Sequence, residues 1–346
     1  MKSLKIILKP LQLIYLILIY FRNQMYNTGF FKIYKSSKKV ISVGNLSMGG
    51  TGKTPMVEYL IRLIGKKNVG VLSRGYGRKT RGFIIANKKN HSSSILGDEC
   101  NMIINKFNDI TLACDNDRVR GIKKLIECNN NLGIVILDDG YQHRSLFRDV
   151  NILLTEMNDL FVDDKLIPIG RLREPRYEKK RADIIIVTKC NRTIKKNKIQ
   201  LIEKKIRIDY KQKIYFSYIS NYNFIDSINF GLHKINKNQM HLLITGFEKT
   251  CELVNHLNEI NLKFVHLKFE DHYDFKEKKI NFFIKKLHSL DNCKTILLSE
   301  KDYYRISNKL LNKLGKVARI VIVQIEFDFI YDNKQAFNDQ ILKLVK

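Results

Sequence analysis

Residues 39–64, KVISVGNLSMGGTGKTPMVEYLIRLI, confine the fold more than any other stretch of the chain. An apolar run, KVISV (39–43), leads through a glycine-rich turn into a segment where Val57, Leu60, Ile61 and Ile64 recur at i, i+3, i+4 and i+7. That order predicts a buried strand, a tight loop and an amphipathic helix over 55–64. Pro55 stands where a first helical turn tolerates proline. Further apolar runs follow at VGVLS (69–73), GIVILDD (133–139), NILLT (151–155) and DIIIVTK (183–189). Such runs alternating with helical patterns predict a doubly wound, mostly parallel α/β sheet covered on both faces.

A second series begins near residue 238, with MHLLITG (240–246), KFVHLKF (263–269), KTILLS (294–299) and ARIVIVQIEF (318–327). It predicts a smaller α/β domain over 238–346. Between the two series, KQKIYFSYIS (211–220) reads as a strand and Asn-rich turns run to about 237. A connecting ribbon with a hinge is therefore expected over 205–237, and a P-loop domain over 26–204. A length of 346 residues suits about two domains.

Ahead of the first strand, LQLIYLILIYF (11–21) is apolar except for Gln12. Lys2, Lys5 and Lys9 precede it, and Arg22, Lys32 and Lys35 follow. It is shorter than the ~20 residues a spanning helix needs, and no small-x-small cleavage motif follows it. The expectation is a helix over 1–25 lying in a membrane interface, with its cationic flanks on anionic headgroups and Tyr15 and Tyr20 at headgroup level. A buried core helix is the alternative.

The net charge of +28 suits a nucleic acid as well as a membrane. The cations are spread along the chain, and Lys, Ile and Asn are abundant together, as drift toward A+T-rich codons also produces. Charge alone does not choose the partner. The six cysteines lie far apart, without C-x-x-C or His/Cys ligand spacing, and read as ordinary thiols.

The turn after the first strand is close to the phosphate-binding pattern G-x-x-x-x-G-K-[ST], with Ser47 in place of the first glycine. Ser47, Met48, Gly49, Gly50, Thr51, Gly52, Lys53 and Thr54 form the expected nucleotide loop: backbone N–H groups around the phosphates, Lys53 as fixed charge, and the Thr54 hydroxyl toward Mg²⁺. Asp138 and Asp139 end a strand at the same sheet edge, where a Mg²⁺–phosphate site requires a carboxylate. LSRGYGR (72–78) sets Arg74 and Arg78 among glycines, LGDE (96–99) sets Asp98 in a turn, and GRLREP (170–175) holds Arg171, Arg173 and Glu174. Loops that follow successive parallel strands converge on one crevice. VTKCN (187–191) lacks the N-K-x-D of guanine readers, so ATP is the expected nucleotide. In the second domain FEDHYDF (269–275) places His272 among acids and aromatics; it gains interest only if a closing hinge carries it to the first domain.

Taken in order, ISVGNLSMGGTGKTP, LSRGYGR, GDE, LDDGYQHRSLFRDVNILL, PIGRLREP, RADIIIVTK, FEDHYDF and LLSEKD resemble the tetraacyldisaccharide 4′-kinases, the lipid A kinases, over about 39–302. DDGYQHR joined to GRLREP is the specific part. The resemblance implies transfer of the γ-phosphate of ATP to the 4′-hydroxyl of a tetraacyldisaccharide 1-phosphate, at the cytoplasmic face of the inner membrane, with Mg²⁺ as cofactor. It implies that Asp98 is the catalytic base, paired with His272, with Lys53 on the phosphates. It also implies that Thr54, Asp138 and Asp139 serve the metal, and that Arg74, Arg78, Gln142, His143, Arg171 and Glu174 line the lipid acceptor's side. A nucleic acid or an obligate protein partner is not expected. SEKDYYRI carries Ser299, Tyr303 and Tyr304 where the family often has TEKDAVRL, and ITGFEKT is a loose form of its AGI segment; these departures bear on the second domain. The rival reading, carried by charge, is a nucleic-acid-associated P-loop ATPase.

Overall fold

The computed structural model describes residues 2–65, 68–87, 92–107, 109–247, 249–271 and 273–345. Its strands are β1 (Lys39–Asn45), β2 (Val69–Ser73), β3 (Ile84–Ile85), β4 (Thr111–Cys114), β5 (Ile134–Asp138), β6 (Val150–Glu156), β7 (Ile184–Thr188), β8 (Lys213–Asp226), β9 (Met240–Thr245), β10 (Phe264–Lys268), β11 (Cys293–Ser299) and β12 (Arg319–Phe329). The helices are α1 (Lys2–Asn27), α2 (Lys53–Ile64), α3 (Ser93–Leu96), α4 (Asp98–Lys106), α5 (Arg118–Cys128), α6 (Lys196–Ile206), α7 (Cys251–Glu259), α8 (Glu277–His288), α9 (Glu300–Arg305), α10 (Asn308–Gly315) and α11 (Asn333–Val345). The strands lie in the order β10-β9-β11-β12-β8-β7-β6-β1-β5-β2-β4-β3. All neighbouring pairs are parallel except β12 with β8 and β3 with β4, the mostly parallel α/β sheet that the alternation predicts.

Strand β8 is what joins the two units. Residues 213–216 pair parallel with β7; residues 217–226 then pair antiparallel with β12, Ser217 opposite Phe329 and Asp226 opposite Val321. Strands β9 and β11 run parallel to β12, so the second sheet points back toward the first. The carboxyl ends of both sheets therefore face each other. β11 stops at Ser299, level with Val323 and hence with Phe224 of β8. Among the described strands, the stretch of β8 between Phe216 and Phe224 pairs only with β12, a two-stranded ribbon roughly 25 Å long at ~3.3 Å per residue. It spans a cleft.

The ribbon's second leg leaves no signal in the sequence pattern. After β12 crosses back, Phe329, Phe337 and Ile341 enter the core of the first unit beside Ile41, Val43, Leu60 and Ile152. The Tyr59 hydroxyl donates to Asn338 at 2.6 Å, and that of Tyr215 to Gln340 at 2.8 Å. The last stretch of chain thus packs with the first unit, whereas the sequence reading carried it with the second. The core of the second unit gathers Leu242, Ile244, Ile296, Leu298, Ile280 and Phe283.

A second contact between the units lies across the cleft mouth. Lys106 of α4 binds Glu300 of α9 at 2.9 Å, Lys301 reaches Glu99 at 3.1 Å, and the Asn101 side chain donates to the Tyr304 carbonyl at 2.8 Å. Lys249 pairs with Glu156, at the end of β6, and with Asp159.

Candidate active site

β1 is buried along six of its seven residues and delivers the nucleotide loop to the carboxyl edge of the sheet. Gly52, with φ 87°, turns the chain into α2 in the left-handed region that only glycine enters freely. α2 then buries Met56, Val57, Leu60 and Ile61, each burial worth about 1.5–3 kcal/mol, so its N-terminus is fixed against the sheet. The loop is braced on three sides. Asn45 donates through Nδ2 to Thr51 Oγ1 at 2.8 Å, and Thr188, at the end of β7, donates its hydroxyl to the Thr51 carbonyl at 3.0 Å. The GRLREP segment pairs with the loop: Met48 N donates to the Arg171 carbonyl at 2.8 Å and Arg173 N to the Leu46 carbonyl at 2.7 Å, with Ser47 bridged to Leu172. Ser47 therefore occupies a strand-like position, where no positive φ is needed and a glycine has no advantage.

Lys53 opens α2 and its Nζ lies 3.6 Å from Asp139 Oδ1. Arg173 grips Asp139 with both terminal nitrogens at 2.9 Å and also reaches Asn45. Burial works against the Asp139 charge, but Lys53 and Arg173 outweigh it and hold the carboxyl well below its ordinary range. Asp138 behaves oppositely. It is buried, accepts from the Ser73 hydroxyl at 2.9 Å, and leaves its Oδ1 without a hydrogen-bond partner among the described residues. Burial, followed by the neighbouring Asp139 charge, pushes its carboxyl up to about 6. Adjacent carboxylates thus hold different protonation equilibria because only one has cations in contact.

Arg118 is the residue the sequence reading missed most completely. It starts α5 behind the N-cap Asp117, whose side chain accepts from Val119 N and Arg120 N, and it is 1% exposed. Its Nη1 donates to the Asp115 carbonyl at 2.7 Å, while Nε and Nη2 meet no acceptor among the described residues. Asp138 and Asp139 are the charges that support it. β4 is only four residues long, too short for its pattern to mark a strand, so the sequence gives no signal for the loop after it.

The expected acceptor-side residues divide. Arg74 is exposed, and its charge is felt by Arg118 and His143. Arg78 instead turns back to the Cys114 and Gly82 carbonyls at 3.3 and 2.8 Å. Gln142 bonds the Asn45 carbonyl at 2.8 Å. Burial and the cations Arg118 and Arg74 push the His143 imidazole down to about 3, so it stays neutral. Arg171 pairs with Asp159 and Asp164. Glu174 is wholly buried, pairs with Arg181 and lies 3.7 Å from Arg22 of α1.

Asp98 is the first residue of α4 rather than part of a free turn, and Arg305 Nε donates to its Oδ2 at 2.9 Å. A Cβ on Gly97 would sit 2.4 Å from the Tyr76 carbonyl, so the glycine lets the Arg74 loop close against this helix start. The charge of the next residue, Glu99, is felt at Asp138. The start of α4 therefore lies beside Asp138. His272 lies outside the described residues.

Helix α1 runs over the loops that hold Leu166, Arg173 and Gln142. Gln12 donates to the Leu166 carbonyl at 2.7 Å, Tyr15 to that of Arg173 at 2.8 Å and Arg22 to that of Gln142 at 2.5 Å. The face away from these bonds carries exposed Ile7, Leu11, Ile14, Leu18 and Phe21. No helix among the described residues is long and apolar enough to cross a membrane.

The profile of the Tetraacyldisaccharide-1-P 4′-kinase family matches residues 4–346. The chain belongs to this family. It is 36% identical to a tetraacyldisaccharide 4′-kinase of Phocaeicola vulgatus, over 98% of this chain and 94% of that one. To the enzyme of the same name from Flavobacterium psychrophilum it is 38% identical, over 100% and 98%. It resembles the crystal structure of LpxK from Aquifex aeolicus in complex with ATP, with a TM-score of 0.77 and 27% identity over 99% of this chain and all of that one. The family does not favour the nucleic-acid-associated ATPase that charge alone allowed.

Proposed function

We propose that this protein transfers the γ-phosphate of ATP to the 4′-hydroxyl of a tetraacyldisaccharide 1-phosphate, a step in lipid A biosynthesis, while lying on the cytoplasmic face of the inner membrane. The observation that carries the reading is the joining of three groups in one crevice: the braced loop ending in Lys53, the Asp138–Asp139 pair, and the helix start bearing Asp98. Lys53, Arg118 and Arg173 surround the two carboxylates with cations, and Arg118 keeps two buried donors unmatched among the described residues, which suits them to phosphate oxygens.

In the transfer the sugar oxygen bonds to the γ-phosphorus, the bond from that phosphorus to the β–γ bridging oxygen breaks, and ADP leaves. The hydroxyl proton goes to Asp98, a positioned carboxylate at a helix start. His272 completes the site as the partner of that base. Thr54 and Asp138 would hold Mg²⁺: the unpartnered Oδ1 of Asp138 fits a cation, and nucleotide-bound Mg²⁺ takes only one or two carboxylates. When bound, it neutralises charge on the β- and γ-phosphates. Asp139, already gripped by Arg173, sets Lys53 in place. Arg74, Gln142 and His143 lie toward the acceptor, with Arg171, Arg78 and Glu174 supporting the surrounding loops.

The exposed apolar face of α1 lies in the membrane interface, and its other face hooks onto the crevice through Tyr15 and Arg22. A lipid acceptor that stays in the bilayer is thus met at the site's own edge. The test is incubation with labelled ATP, Mg²⁺ and tetraacyldisaccharide 1-phosphate in detergent. Label should appear in the lipid; label that remains in ATP with folded protein, or hydrolysis driven by DNA or RNA instead, would overturn the reading.

A further inference from the structure

Arg305 closes α9 in the second unit, yet its side chain ends on the first. The second unit holds the guanidinium from behind: Nη1 donates to the Gly246 carbonyl at 2.9 Å and to Asp302 Oδ1 at 3.1 Å. Asp302 is itself wholly buried and fixed by the Ser299 hydroxyl at 2.6 Å and the Gly246 N–H at 3.1 Å. Ser299 also caps α9, accepting from Asp302 N at 3.1 Å. From this seat Nε crosses to Asp98 Oδ2 at 2.9 Å, between residues 207 positions apart in sequence.

Other charges also bridge the units, and many ion pairs between packed surfaces contribute little. Two features separate this one. The Arg305 side chain is 6% exposed, against 13% for Lys106, 28% for Lys301 and 38% for Lys249, and its planar fork fixes direction as an ammonium does not. Moreover, Nη2 is buried without an acceptor among the described residues, a cost that an arrangement serving stability alone would avoid.

We propose that Arg305 is a positioning residue for phosphoryl transfer. It orients the Asp98 carboxylate and ties that orientation to the docking of α9 on α4, so the base is aligned only while the two units are packed across the cleft. The proposal rests on the reading of Asp98 as the base.

A double-mutant cycle on the full chain tests it, with kcat and KM for ATP and for the lipid measured for Arg305→Ala, Arg305→Lys, Asp98→Asn and their combinations. Arg305→Ala is expected to lower kcat by about ten- to a hundredfold, the scale on which partners that orient metal ligands act, with KM for ATP little changed. Lysine should recover only part of the loss. In the Asp98→Asn background, Arg305→Ala should add almost nothing, because its effect runs through Asp98. Losses that multiply in full, or an Arg305→Ala protein with wild-type kcat, would overturn the proposal. If thermal melts show Arg305→Ala unfolded, Arg305→Lys carries the same cycle. A wild-type kcat in Asp98→Asn would instead remove the base itself, a distinct result.

Discussion

At the scale of single residues, the crevice works by giving like groups unlike surroundings. Asp138 and Asp139 are neighbours in sequence, but only Asp139 has Arg173 and Lys53 in contact. The Asp138 carboxyl, raised in the folded chain to about 6, favours folding while it is protonated. That contribution is complete below the unfolded value of about 3.9 and is lost as pH rises through about 6, a swing of roughly 3 kcal/mol. Asp138→Asn should therefore raise the melting temperature of the nucleotide-free protein at pH 8 and change it little at pH 3.5, while Mg²⁺-dependent nucleotide affinity falls. Calorimetry at the two pH values checks the sign, and an equal shift at both would contradict it. Arg173→Lys should fail to replace the two-pronged grip on Asp139 and lower turnover at least tenfold, as steady-state kinetics would show. The sequence disclosed Lys53, Thr54 and the aspartate pair because their types and spacing are tied to phosphate chemistry. It did not disclose Arg118 or the grip of Arg173. An arginine's role depends on burial and on which carboxylate lies opposite, and neither leaves a periodic trace.

Among the elements, α1 carries the clearest division of labour. One face donates to carbonyls at Leu166, Arg173 and Gln142; the other exposes a row of large apolar side chains, with Leu18 and Phe21 each 62% exposed. Such a row exceeds what water tolerates without cause. Leu18→Glu with Phe21→Glu should shift the protein from vesicles containing anionic lipid to the supernatant in a flotation assay, while ATP affinity stays unchanged. Persistent vesicle binding would remove α1 as the anchor. The apolar run and its cationic flanks were visible in the sequence. The bonds tying Tyr15 to Arg173 and Arg22 to Gln142 were not, since contacts across more than a hundred residues are set by packing. For the same reason α11 read as part of the second unit: its amphipathic pattern says that one face is buried, and not against what.

For the molecule as a whole, the direction of β8 decides the function. By pairing parallel with β7 and antiparallel with β12, it turns two ordinary α/β sheets so that their carboxyl ends confront each other. Strand patterns predicted both sheets, but strand order and the returning leg of the ribbon lie beyond periodicity. The cleft is bridged by Lys106–Glu300, Lys301–Glu99 and Arg305–Asp98, so its two facing surfaces are held in register by charge. The central claim is that the phosphate held by the Lys53 loop ends on the 4′ oxygen of the lipid. The most direct measurement is the position of the new phosphate, by ³¹P NMR and fragmentation of the purified product, for wild type and Lys53→Ala. The account predicts a 4′-monophosphate added to the intact 1-phosphate in wild type, and at least a hundredfold less of it from a folded Lys53→Ala protein, the scale seen when one transition-state donor is removed. A phosphate at any other position, or equal product from both proteins, would contradict it.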